Sequence, residues 1–141
     1  MDLKELEQKL NDAIDAITQQ QSLVDSLTAQ ITTLNSQIAE LKAMIAPLQP
    51  AKDRLDFLRQ KVKEGGGLSA VYRAELDLLE HLFQDPPFNQ VDNYVNDRDA
   101  KTRQRDLLQT QLQAAQDSVA AAQAVLKGGV SAQMALIMST C

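Results

Sequence analysis

The side chains that could do chemistry are few. His81 is the single histidine, and Asp77 stands four residues before it, one helical turn away. Such a pair can be half of a metal site or a plain surface hydrogen bond. A zinc site needs three or four ligands, and no second His or nearby Cys completes this one. Gly65-Gly66-Gly67 could cradle a phosphate, but a phosphate loop needs a following Lys-Ser or Lys-Thr, or a flanking strand, and neither is present. Acidic residues are plentiful, yet no pair sits in an evident pocket that would tune a carboxyl for acid–base work. No Ser, His and Asp fall together at helical spacing. Arg98, Lys101, Arg103 and Arg105 are interleaved with Asp97, Asp99 and Asp106, which reads as a solvated helical face rather than a phosphate track. The expectation is a non-enzyme with no catalytic residue, no metal and no cofactor.

Composition narrows the class further. The net charge of -5 argues against nucleic-acid binding, which needs a basic face. The apolar fraction is 44% but aromatics make up only 4%, poor material for a globular core and ordinary for helical seams of Leu, Ile, Val and Ala. The lone Cys141 could pair only between chains. Met1-Asp2-Leu3-Lys4-Glu5 is acidic and amphipathic, unlike a secretion signal. The longest apolar run falls short of the roughly 20 residues that span a bilayer. The expected setting is soluble, in the cytoplasm or in a virion, with a membrane role disfavoured.

The stretch from Leu3 to Leu48 must position everything else. Read in sevens, its a positions are Leu3, Leu10, Ile17, Val24, Ile31, Ile38 and Ile45. Its d positions are Leu6, Ala13, Gln20, Leu27, Leu34, Leu41 and Leu48. A 3-4 spacing held this long predicts one apolar seam on one long helix. Ile14, Ala16, Leu23 and Met44 broaden the seam at its flanks, where charge is sparse.

Breaks divide the rest. Pro47 and Pro50 end the first helix near residue 46, and a second fits 51–64. The three glycines make the sharpest turn. Ser69 can cap a third helix over 69–84, stopped by Asp85-Pro86-Pro87. A fourth should run over 88–127 and end at Gly128-Gly129. Folding the chain at Gly66 sets helix 2 against helix 3 and helix 1 against helix 4, with Met1 opposite the region just past Gly128-Gly129. Lys52, Arg54, Arg59, Lys61 and Lys63 of helix 2 would then oppose Glu75, Asp77, Glu80 and Asp85. The predicted fold class is all-α: residues 1–129 form a long antiparallel coiled-coil hairpin with a shorter helix pair at its tip.

Two features suggest contact with other chains. Helix 4 is alanine-rich and polar at its middle, a thin partner that buries little area. The seam residues Ile17, Val24, Leu27, Ile31, Leu34, Ile38, Leu41 and Ile45 are therefore expected to pack against another copy in a homo-oligomer. Residues 130–141 form an apolar tail, with Val130, Met134, Leu136, Ile137 and Met138 as its docking side chains. The tail alternates like a strand, and a short helix capped by Ser131 fits equally well. It could cover its own hairpin or dock on a neighbouring subunit.

The uncharged polar faces of residues 18–37, rich in Gln, Ser, Thr and Asn, resemble in composition the helical stalks and the fibre or capsid components of bacteriophage particles. The resulting expectation is a structural or assembly protein, a subunit of a larger particle. The alternative is a soluble adaptor or regulator that presents the Gly65, Gly66, Gly67 turn to a protein partner.

Overall fold

The computed structural model describes residues 2–139. Cys141, and with it any pairing between chains, lies outside them, as does Met1. Among the described residues the chain is all-helical. Helix α1 spans Leu3–Ile45, α2 Gln49–Glu64, α3 Ser69–Leu82 and α4 Val91–Ser139, with a short 3-10 turn at Phe88–Gln90.

The breaks fall near the prolines and glycines, with small shifts that have local causes. Pro47 stops α1, and the Leu48 N–H bonds the Ile45 carbonyl across a tight turn. Helix α2 then begins at Gln49, before Pro50 rather than after it. Proline is tolerated there because first-turn N–H groups have no partner within the helix. Gly65 and Gly66 adopt φ of 79° and 110°. Those are conformations that L side chains avoid, so these two positions require glycine. Gly67 does not share the constraint. Ser69 is not the cap of α3. Leu68 holds that place without a side-chain cap, and the Ser69 N–H bonds the Gly66 carbonyl.

The largest departure is at the end of α4. Gly128-Gly129 does not terminate it, and the helix runs on to Ser139. Ser131 is accordingly no cap: its hydroxyl donates to the Lys127 carbonyl one turn back. The strand alternative for residues 130–139 is ruled out by the same helix.

The chain divides into two compact units. In one, the N-terminal part of α1, to Thr33, packs with α4 from Gln104 onward. As α1 advances from Leu10 to Leu27, its neighbours on α4 retreat from Gly129 to Gln111, so the pair is antiparallel. Folding at Gly66 would have brought Leu3 to Gly129. Leu10 sits there instead, about two turns further along. Leu6, Leu10, Ala13, Leu27, Ile31, Ala115 and Val119 are buried in this unit.

The other unit covers Leu34–Arg103. Leu55 and Leu58 of α2 and Leu76 of α3 form its tightest cluster, with Val62, Tyr72, Leu79 and Phe83 against it. Two ion pairs join the helices, Arg54–Glu75 at 2.7 Å and Arg59–Glu80 at 3.6 Å. The expected opposition of basic α2 and acidic α3 is therefore present. The Phe57 ring meets Tyr72 edge-on at 5.9 Å. Phe57 is three residues on from Arg54 and Tyr72 three residues back from Glu75, so this contact keeps the antiparallel register of the Arg54–Glu75 pair.

Candidate docking surface

The α1 seam is the surface that the sequence leads one to expect against a second copy. Leu27, Ile31, Leu34, Ile38, Leu41 and Ile45 are all between 2% and 8% exposed within the single chain. Ile17 and Val24 are half-buried. The expectation that a thin α4 leaves this strip uncovered does not hold. In the first unit the reason is the smallness of α4. A Cβ built on Gly129 would collide with Leu10 Cδ2 and lie 3.2 Å from Leu10 Cγ. With Ala115 buried beside this notch's own helix face, α4 comes close enough for backbone and methyl groups to cover the α1 side chains.

What remains exposed on α1 are the flanking residues Ile14, Leu23 and Met44, with Leu3 near its start. The uncharged polar face of 18–37 is partly turned on itself. The hydroxyls of Thr18, Thr28, Thr32 and Thr33 donate to carbonyls one turn back, at 2.7–3.1 Å.

The predicted docking tail is now a helical face. Val130, Met134, Ile137 and Met138 are 43%, 58%, 51% and 73% exposed. Their spacing of i, i+4, i+7 and i+8 puts them along one side of α4. Leu136 is half-buried and turns away from this side. No Asp, Glu, Lys or Arg occurs after Lys127 within the helix. Beside the face runs an open groove of about 360 Å³ between α1 and α4, lined by Leu10, Ile14, Leu126 and Val130 together with Glu7, Asn11 and Gln133. Val130 belongs to both the exposed face and the groove.

Sequence reasoning missed a second apolar face. Leu68, Val71, Leu78 and Leu82 are exposed along α3. The apolar stripe of α3 is wider than α2 can cover, so Tyr72, Leu76 and Leu79 pack inward while these four do not. The signal was available as the 3-4 spacing from Leu68 through Val71, Glu75 and Leu78 to Leu82.

The polar side chains with shifted titration lie in the α2–α3 region. Glu75 accepts two hydrogen bonds from Arg54, at 2.8 Å from Nε and 2.7 Å from Nη2. That bonding holds the Glu75 carboxyl below the usual carboxylate range and raises Arg54. The Arg54 guanidinium also lies 4.9 Å from the Phe57 ring centre. Glu64 is lowered by hydrogen bonds from Gln60 and Lys61. Of the basic stretch on α4, Arg98, Lys101 and Arg105 reach Asp99, Asp97 and Asp106 respectively, all close neighbours in sequence. His81 and Asp77 are exposed on α3. Among the described residues no three His, Cys, Asp or Glu side chains are grouped to hold a metal, and no helix is long and apolar enough to cross a membrane. The Gly65–Gly67 turn is exposed, with open space around each glycine.

Compared with known proteins, the chain matches no protein-family model, no curated sequence and no solved structure.

Proposed function

We propose that this chain is a non-enzymatic assembly protein that joins copies of itself, and another subunit, into a larger particle. The observation that carries the reading is the uncharged face of Val130, Met134, Ile137 and Met138 on α4. Four large apolar side chains in one row are costly to leave in water, at roughly 25 cal/mol for each Å² that burial would remove. Methionine side chains adapt to the shape of what they meet. Because the seam of α1 is covered from within, the association runs through this outer face and not through the seam. The low charge of the polar faces, whose composition resembles that of bacteriophage stalk and fibre proteins, is the ground for placing the particle in a virion.

The test is the mass of the protein in solution by light scattering, with Met134→Glu and Ile137→Glu as a double variant. The wild type should be an oligomer and the variant a helical monomer. An oligomer that survives the double variant would move the contact elsewhere.

A second reading is an adaptor that presents its α2–α3 region to a partner protein. The exposed Leu68, Val71, Leu78 and Leu82 favour it; Leu68 caps α3 and the other three lie on it, rather than on the glycine turn itself. Under this reading Val71→Glu with Leu78→Glu abolishes partner binding while the oligomer persists.

A further inference from the structure

We draw no further inference here: the strongest candidate, the apolar face that Leu68, Val71, Leu78 and Leu82 expose along α3, carries nothing beyond the second reading above, because nothing in the structure shows what covers it.

Discussion

Leu10 lies across Gly129 so closely that its Cδ2 occupies the place where a side chain at that position would begin. Gly129 is therefore a notch in α4, and Leu10 is the residue that fills it. Its neighbour Gly128 has no atom within 4 Å of a built Cβ. Two adjacent glycines in one helix thus serve different ends, which gives a direct comparison. Gly128→Ala should stabilise the protein by about 0.5–1 kcal/mol, the usual gain from replacing an interior helical glycine. Gly129→Ala makes the same backbone gain but must displace the Leu10 side chain, which offsets part or all of it. Urea denaturation followed by circular dichroism should show the first variant more stable than the second. Equal stabilisation by both would mean that Leu10 does not pack at Gly129.

The same notch predicts coupling. Leu10→Ala alone opens a cavity, and Gly129→Ala alone creates a collision. Combined, the new methyl group enters space that Leu10 has left. The double variant should be more stable than the sum of the single effects allows, as expected for residues in contact. A strictly additive double-mutant cycle would contradict the pairing of the two positions.

Packing in the α2–α3 unit separates leucines by face rather than by type. Leu58 is 0% exposed and Leu78 is 74% exposed. Leu58→Ala should cost about 2–5 kcal/mol, because removed contacts leave a cavity. Leu78→Ala should change stability by less than about 0.5 kcal/mol, the range of ordinary surface changes. Melting temperatures of the two variants decide the point. A large loss at Leu78 would mean that its face is covered in the protein as it exists in solution.

Acid should weaken the same unit through Glu75. Its carboxyl is lowered by the Arg54 hydrogen bonds, so the folded state favours the ionised form. A group of this kind adds stability above its unfolded pKa, and that stability is lost as pH falls through the lowered folded value. Wild type should melt slightly higher than Glu75→Gln at neutral pH. The difference should start to shrink below about pH 4.3, the ordinary glutamate value, and vanish once Glu75 is protonated. Because the pair is solvent-exposed, salt should also reduce the difference. A difference that persists unchanged in acid would assign the effect to packing instead of charge.

The long helices were legible because one pattern repeats. Leu6 through Leu48 keep the 3-4 spacing, and Pro47 and Gly65-Gly66 interrupt it with unambiguous backbone chemistry. The ion pairs of Arg54 and Arg59 were visible as opposite charge on two adjacent helices. The end of α4 was not, because Gly128-Gly129 reads locally as a stop. About 1 kcal/mol of helix propensity per glycine is easily outweighed once Leu10 packs into the space a glycine leaves. Coverage of the seam was misjudged for a related reason. Counting large apolar residues on α4 suggested a poor partner, but in the first unit small residues let the two helices close up over the seam. The exposed face of α3 has the same 3-4 spacing as a buried one, so spacing alone does not show which side α2 covers. The exposed residues Val130, Met134, Ile137 and Met138 were identifiable by their apolar character. Their arrangement on one side emerged only once the segment was helical.

The central claim is that the outer face of α4 joins this chain to its own kind. Light scattering coupled to size separation, over a range of protein concentrations, tests it most directly on the full chain and on the Met134→Glu, Ile137→Glu double variant, with helicity checked in parallel. The account predicts an oligomer for the wild type and a monomer of unchanged helicity for the variant. A wild type that stays monomeric at every concentration, or a variant of the same mass as an oligomeric wild type, would contradict it.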